Sequence, residues 1–361
     1  MILAVYRRSV ILSLLAVPLG MLAERNFRRL PRITSQDPSA NLPSLSIIIP
    51  ARDEAKNLHT LLPSLVSLDY PGDYEILLVD DHSTDSTPQV AASYGVQRIS
   101  LDQVLSRDWK GKPFACHQGA LNTRGQWLLF TDADTVHTPS GIRTAVEYAQ
   151  QNNLDGLSLF LKHEATSWLD SLALDTAFAG LFASWHASKF ILNGQFILIR
   201  RNVYFDCGGF ESVRSEVLED VALGNLVKSR GFRFQIMNGG TVARVRMYPN
   251  SGNMFHGLSR LGSGILGWQG IWAGLTALYI TSLVSPLLCI PGVISGRLKW
   301  SWLPITWISA SLSLLPWTRR SGNAKIALLA PLGALFILVS ALFGLLNRLL
   351  GKGIPWKGRR V

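Results

Sequence analysis

The residues best suited to chemistry are four short acidic groups, Asp53-Glu54, Asp80-Asp81, Asp132-Ala133-Asp134 and Glu219-Asp220. Carboxylates two positions apart, such as Asp132 and Asp134, can bring oxygen ligands to a hard divalent cation, Mg2+ or Mn2+, which would then bridge a diphosphate. Alone, an Asp-x-Asp triplet is more often a pair of solvated turn residues. Here it directly follows the apolar run Trp127 to Thr131, and Asp80-Asp81 directly follows a second such run, Glu75 to Val79. A carboxylate at the end of a buried strand can accept hydrogen bonds from a uracil imide and from ribose hydroxyls; the Ser and Asp residues after Asp81 also allow a plain turn. Lys112 is either a solvated charge or the cation that neutralises a diphosphate beside these carboxylates. Glu219-Asp220 opens a helical run, where the macrodipole alone favours acidic residues. Asp220 is also the best candidate for a base that takes the proton of an acceptor hydroxyl.

These groups need a frame that brings them together. Leu45 to Ile49 and Glu75 to Val79 are nearly continuous in apolar residues, as in strands of a parallel sheet covered on both faces, and Glu54 to Leu68 between them has helical spacing. Further strands are expected at Trp127 to Thr131, Gly156 to Leu161, Phe196 to Ile199 and Phe232 to Met237, and helices at 112–123, 140–151 and 216–230. The pattern is α/β, and ligands of such sheets bind beyond the carboxyl ends of the strands, where the acidic groups fall. A dinucleotide site would need Gly-x-Gly-x-x-Gly after the first strand, whereas this chain has Ala-Arg-Asp-Glu-Ala, which argues against a dehydrogenase. Gly111-Lys112 is not a P-loop, since Pro113 stands where Ser or Thr is required.

Outside this frame the chain looks like a membrane protein. Of its 361 residues 48% are hydrophobic, and 11 are Trp. The formal charge of +11 is unevenly placed: residues 221–361 hold 16 Lys and Arg and no acidic residue, which leaves residues 1–220 at −5. Basic residues flanking apolar segments suit an anionic leaflet, and no reading motif for nucleic acid accompanies them. Ser9 to Ala23 is apolar and followed by Arg25, Arg28, Arg29 and Arg32, which favours an uncleaved anchor over a signal peptide. The expected order is an anchor over 1–32, a linker over 33–44, a catalytic domain over 45–250 and a membrane region over 251–361.

Within that last region the apolar candidates are 268–294, 300–317 and 324–346. With a cytoplasmic catalytic domain, three full crossings would put the basic tail outside, so one of them is expected to be re-entrant or interfacial. The short 300–317 segment, with Pro304, is the weakest. Trp168, Leu172, Leu174, Phe178, Leu181, Phe182 and Trp185 fall in helical register, either as a core helix or as one lying at a bilayer surface that admits a greasy substrate. Cys116, Cys207 and Cys289 have no metal-ligand spacing.

In order, Ile-Ile-Ile-Pro-Ala-Arg-Asp-Glu, Val-Asp-Asp-His-Ser-Thr-Asp, Thr-Asp-Ala-Asp and Glu-Asp resemble the family 2 glycosyltransferases of GT-A fold over about residues 45–250. The resemblance implies an inverting transfer from a UDP- or GDP-sugar. Pro50, Ala51, Glu54 and Asp81 would contact the nucleoside, with Asp80 beside them; Asp132 and Asp134 would hold donor and metal, and Asp220 would be the base. Gly194-Gln195 falls where such enzymes place a loop near the acceptor, with Glu219 and Trp185 on the same side, though a plain turn explains it equally. Processive members carry Gln-x-x-Arg-Trp after the base, and this chain has only His256-Gly257-Leu258-Ser259-Arg260-Leu261, in which Arg260 would pair with the departing diphosphate. The missing Trp favours adding a single sugar over extending a polymer. The membrane layout is similar to the branch that glycosylates lipids, with a carotenoid hydroxyl the preferred acceptor and hopanoid or ceramide-type lipids the others. A polysaccharide or polyisoprenyl-phosphate sugar synthase is the rival enzyme, and a non-catalytic membrane scaffold is the rival of another class.

Overall fold

In the computed structural model of the chain the described residues are 2–34, 41–101, 108–185, 192–216, 218–265, 271–352, 355–356 and 359–360. Residues 35–40 of the expected linker lie outside them. The chain divides into two compact units, one of Met1–Arg29, Glu164–His186 and Tyr248–Val361, the other of Leu30–His163 and Ala187–Met247. The first is helical and the second is α/β. The helical stretch after Glu164 thus interrupts the α/β unit in sequence.

The chain opens with α1 (Ile2–Leu14) and α2 (Ala16–Arg28) and then alternates strand and helix: β1 (Leu45–Ala51), α3 (Ala55–Val66), β2 (Tyr74–Asp80), α4 (Thr87–Ser93), β3 (Gln97–Ser100), α5 (Gly111–Leu121) and β4 (Trp127–Thr131). There follow β5 (Thr135–His137), α6 (Gly141–Gln151), β6 (Gly156–Phe160), β7 (Lys162–His163), α7 (Trp168–Ala183), β8 (Phe196–Arg200), α8 (Arg201–Asp206), α9 (Glu219–Ser229), β9 (Phe234–Asn238) and β10 (Ala243–Val245). The last helices are α10 (Ser251–Ile265), α11 (Ile271–Ile294), α12 (Trp302–Arg320) and α13 (Ala330–Leu349).

Seven strands form one sheet in the order β3-β2-β1-β4-β8-β6-β9, and β5, β10 and β7 form a second, smaller one. Strands β1 to β4 are parallel; β1, β2 and β4 have the nearly unbroken apolar character of strands covered on both faces, and β3, Gln-Arg-Ile-Ser, is the exposed edge. Ile47 and Ile49 point to the face covered by Leu58, Leu61, Leu62 and Leu65 of α3 and by Ala145 and Val146 of α6. Ile48 points the other way, toward Phe114 and Cys116 of α5 and Leu223 and Val227 of α9. The sheet is mixed, however, because β8 runs antiparallel to both β4 and β6. A parallel return needs a crossover helix lying on the sheet, and the helix between β6 and β8, α7, belongs to the other unit.

In the helical unit, three stretches are long and apolar enough to cross a membrane by length and composition, Ala4–Arg28, Ala273–Ile294 and Ala324–Leu349. Helix α12, which covers the weakest candidate, is not among them. Helix α7 is buried along nearly its whole length, with Leu172, Leu174, Asp175, Thr176, Ala179 and Phe182 turned to different sides. It packs against α2, α11, α12 and α13, as an interior helix of this unit and not one lying open on a surface.

The α5–sheet contact leaves no room at Gly119, where a Cβ would lie 2.3 Å from Ile48 Cγ2 and 3.1 Å from Val79 Cγ2. Gly119→Val should therefore destabilise the α/β unit by about 1–3 kcal/mol through overpacking, although valine is the better helix former. Urea unfolding followed by Trp fluorescence measures it, and an unchanged midpoint would mean that α5 does not rest on β1 and β2.

Candidate active site

The strand order reverses direction of growth between β1 and β4, so the crevice beyond the carboxyl ends of these strands is where a ligand of this sheet binds. Pro50 and Ala51 close β1 and pair with Val79 and Asp80 at the end of β2. The loops that follow are laced together: Asp53 Oδ1 accepts from the Thr84 amide at 2.7 Å, Asp85 Oδ2 from the Ala55 amide at 3.1 Å, and Thr87 Oγ1 from the Glu54 amide at 2.8 Å. Glu54 Oε2 accepts from Asn57 Nδ2 at 2.6 Å. Asp53 and His82 both take left-handed backbone angles, φ 52° and 60°, which non-glycine residues adopt only where surroundings enforce it. The Asp53 carboxyl is held below its ordinary range, chiefly by the hydrogen bond from the Thr84 amide.

The adjacent aspartates differ in what they hold. Asp80 is buried, and its carboxylate accepts from Arg98 Nη1 and from the Ser83 amide, both at 3.0 Å, so it clamps its own loop. Asp81 lies beside His82 Nδ1 at 3.0 Å and Arg52 Nη1 at 3.9 Å, with its amide donating to the Ala51 carbonyl at 2.8 Å.

A second group gathers at the end of β4. Asp132 Oδ1 pairs with Lys112 Nζ at 2.7 Å, and the same ammonium lies 3.6 Å from Glu219 Oε1 and donates to the Gly194 carbonyl at 3.5 Å. Burial works against the charge on Lys112, but Asp132 and Glu219 outweigh it and hold the ammonium above the ordinary lysine range. Gly194 donates its amide to Asp220 Oδ2 at 2.9 Å, while Asp220 Oδ1 accepts from the Val221 amide at 2.8 Å. A Cβ on Gly194 would lie 3.1 Å from Lys112 Nζ and 3.2 Å from Asp220 Oδ2. Lys112, Asp132, Gly194, Glu219 and Asp220 therefore form one cluster, although they come from four separate segments of the chain.

Antiparallel pairing explains the convergence. Thr131 at the end of β4 is opposite Phe196 at the start of β8, so the residues just before β8 stand beside the residues just after β4. The turn that carries Gly194 is fixed from behind, because Ser158 Oγ donates to Phe196 O at 2.8 Å and Asn193 Nδ2 donates to Leu159 O at 2.9 Å and to Gln195 Oε1 at 3.2 Å. Gln195 itself is buried.

Sequence reasoning missed the buried network beneath the Asp132 turn. Thr135 Oγ1 donates to the Asp132 carbonyl at 2.7 Å and lies 2.8 Å from Thr131 Oγ1, which also reaches His137 Nε2 at 3.0 Å and the Gln195 carbonyl at 3.3 Å. The only signal was Thr135 and His137 two apart, the spacing of one face of a strand; their meeting with Thr131 across the Asp132 turn depends on how β4 and β5 join. Burial pushes the His137 imidazole down to about 3, so it is neutral there.

Asp132 and Asp134 flank buried Ala133 in the turn between β4 and β5, and the Asp134 carbonyl accepts from the Arg246 amide at 3.0 Å. Among the described residues no three His, Cys, Asp or Glu side chains close around one point. A divalent ion here would take hard oxygen ligands from this turn and complete its shell from a diphosphate, as Mg2+ and Mn2+ commonly do. The ammonium already drawn to Asp132 shows that the turn attracts a cation. Arg260 on α10 and Trp185 after α7, whose carbonyl accepts from Asn26 Nδ2 at 3.1 Å, both belong to the helical unit.

Residues 46–222 match the profile of "Glycosyl transferase family 2". Among characterised proteins, the 4,4'-diaponeurosporenoate glycosyltransferase of Staphylococcus aureus is 26% identical over 231 residues, which is 62% of this chain and 61% of that protein's length. Among solved structures, the mannosyltransferase PcManGT of Pyrobaculum calidifontis, in complex with GDP-Man and Mn2+, superposes with a TM-score of 0.61 at 16% identity, over 96% of this chain and all of that one. That likeness extends the GT-A fold to this chain.

Two outcomes follow from the geometry. Lys112→Met leaves Asp132 and Glu219 facing each other without a counter-charge, and nucleotide-sugar affinity measured by calorimetry should fall at least about tenfold, or about 1.4 kcal/mol, with the unfolding midpoint little changed. Unchanged affinity would remove Lys112 from the donor site. For His137, the unfolded imidazole has the ordinary value of 6.5 and the folded one about 3, so stability is full above pH 6.5 and falls as pH drops from there toward 3. His137→Gln should make that decline shallower, with half-buried His163, whose imidazole desolvation also pushes down to about 3, keeping part of the slope. An identical slope would place the proton uptake elsewhere.

Proposed function

We propose, from the premise that this chain carries a family 2 glycosyltransferase domain of GT-A fold, that it transfers a sugar from a UDP- or GDP-sugar to a membrane lipid with inversion at the anomeric carbon. The observation that carries this reading is the cluster of Lys112, Asp132, Gly194, Glu219 and Asp220 at the switch point of the sheet. Pro50, Ala51, Glu54 and Asp81 bind the nucleoside from the loops after β1 and β2, and Asp80 braces those loops. Asp132 and Asp134 would hold Mg2+ or Mn2+, whose chemistry when bound is to neutralise the departing nucleoside diphosphate as a Lewis acid. Lys112 adds a fixed positive charge at the same place, so charge developing on the leaving group meets a preorganised field. Asp220 takes the proton of the acceptor hydroxyl; the Gly194 and Val221 amides hold its carboxylate in one orientation, as a positioned base requires. Gln195 and Glu219 serve the acceptor side, whereas Arg260 and Trp185, in the helical unit, have their expected roles from the sequence alone.

The lipid acceptor is supported by the three stretches apolar enough to cross a membrane and by the carotenoid acid named in the relative. The protein is then an integral membrane enzyme with its catalytic domain on the cytoplasmic side, where residues 25–32 carry four arginines. A carotenoid is the preferred acceptor. A second reading has a specific support: an "-oate" acceptor, as in the relative's name, is a carboxylate, already ionised near neutral pH, and needs no base.

Asp220→Asn separates these readings. With a hydroxyl acceptor the variant should lose transfer by a factor of about 100 or more while binding donor nearly as wild type does. Turnover close to wild type with a carotenoid acid, and none with an alcohol, would favour the second reading; wild-type turnover with both would end the assignment of Asp220. Chelation with EDTA should abolish transfer by the wild type, with Mg2+ or Mn2+ restoring it.

A further inference from the structure

We propose that α12 is a lipid-embedded helix which returns the chain across the bilayer after α11, although its composition alone does not mark it as a crossing. The re-entrant or interfacial segment that keeps the basic tail on the catalytic domain's side is then the last apolar stretch, Ala324–Leu349, and not α12. This rests on the membrane-attached reading above. Helix α12 falls short on composition because Ser309, Ser311, Ser313, Thr306 and Thr318 dilute it, and the position of those residues is what the inference uses.

On a helix of a water-soluble protein the apolar stripe faces inward and the polar stripe outward. Helix α12 is the reverse. Thr306, Ser309, Ala310, Ser313 and Trp317, at helical spacing, are buried, whereas Ile305, Ile308 and Leu312, equally at helical spacing, are 44%, 56% and 53% exposed. The inward hydroxyls join neighbouring helices: Ser309 Oγ donates to the Ser13 carbonyl at 2.7 Å, Ser13 Oγ meets Ser285 Oγ at 2.7 Å, and Ser313 Oγ meets Tyr279 Oη at 2.8 Å. Close approach accompanies them, since a Cβ on Gly20 of α2 would lie 2.4 Å from Ser313 Oγ. Small residues and interhelical hydroxyl bonds are how helices associate where lipid, not water, is the alternative contact.

Both ends of α12 are built as interfacial anchors. Lys299, Trp300 and Trp302 stand at its start; at its end Arg320 pairs with Glu24 and lies 4.4 Å from the Phe27 ring and 5.0 Å from the Trp317 ring. Trp and basic residues at the two termini of an apolar surface mark the headgroup levels. The 19 residues between span about 28 Å, close to the roughly 30 Å of bilayer hydrocarbon. Direction agrees as well. The end of α12 is beside the end of α2 through Arg320 and Glu24, and the end of α11 is beside the start of α1, where a Cβ on Gly292 would lie 2.9 Å from Tyr6 Cγ. Thus α11 runs against α1 and α2, and α12 runs with them, as alternate crossings must. The exposed Ile305, Ile308 and Leu312 stripe continues the lipid-facing surface of the bundle, and acyl chains are its occupant.

The test uses the full chain in phosphatidylcholine–phosphatidylglycerol vesicles, with Cys116, Cys207 and Cys289 replaced by alanine and a nitroxide placed singly at Ile308→Cys, Ser309→Cys or Leu288→Cys. Leu288 is exposed on α11, within a stretch long and apolar enough to cross, and serves as the reference. At 308, as at 288, collisions with oxygen should exceed those with a polar nickel chelate by roughly tenfold, as expected within hydrocarbon; at 309 both should be low. A position 308 open to the nickel chelate, with 288 in lipid, would overturn the proposal and leave membrane attachment standing, and so would a 308 closed to both reagents. Both positions open to the chelate would overturn the membrane reading itself. Should the cysteine-free chain not fold, photoreactive benzoylphenylalanine at 308 in the otherwise unaltered chain decides the matter: cross-linking to acyl chains supports the proposal, and its absence, when position 288 does cross-link, refutes it.

Discussion

Carboxylates that gather at one edge of a sheet repel one another, and the α/β unit is arranged around that constraint. Asp132 and Glu219 come from segments 87 positions apart in sequence, and the Lys112 ammonium stands between them, at 2.7 and 3.6 Å. The ammonium offsets the repulsion between the two carboxylates, and they in turn hold it above the ordinary lysine range against the effect of burial. The loops after β1 and β2 meet the same difficulty with Arg98 on Asp80 and Arg52 near Asp81. Asp80, Asp81, Asp132 and Glu219 each have a basic neighbour, so much of the acidic charge at this edge is balanced within the chain, while Asp220 is held by backbone amides.

Much of this was legible in the residues. Continuous apolar runs located β1, β2 and β4, because a strand covered on both faces has no solvent side to mark with polar residues. The acidic groups then fell at strand ends by position alone. What the pattern could not carry was direction. Phe196 to Arg200 reads as a buried strand whichever way it runs, and only the departure of α7 to the other unit makes it antiparallel. The Thr131, Thr135 and His137 network was hidden for a related reason: threonine and histidine are ordinary strand residues, and their hydrogen bonds to the Asp132 and Gln195 carbonyls depend on how β4, β5 and β8 meet. Helix α7 has apolar residues on all sides, so periodicity leaves a surface role open where packing does not.

The helical unit shows the same reasoning with the solvent exchanged. In water, burying Ser309 and Ser313 while exposing Ile308 and Leu312 would cost the unit twice, once for each face. In hydrocarbon both terms change sign: the exposed apolar side chains contact their own kind, and the hydroxyls find one another and the Ser13 carbonyl inside the bundle. Average hydropathy cannot see this, since it sums over the two faces. A helix whose polar residues are all inward scores as poorly as one whose polar residues face water.

Gly194 shows how far the chemistry depends on strand register. Its carbonyl accepts from Lys112 and its amide donates to Asp220, and a Cβ there would stand 3.1 Å from the ammonium and 3.2 Å from the carboxylate. Those two bonds point correctly only because Thr131 is opposite Phe196. A slip of one residue between β4 and β8 would reverse every side chain of β8 and bring Gln195 to the place of Gly194. Buried Ser158 and Thr131 and half-buried Asn193 oppose such a slip, each through a hydrogen bond to backbone that a shifted register would leave unmade. The separation of Lys112 and Asp220 on either side of Gly194 is thus a property of the sheet. The loops at its edge only carry the side chains.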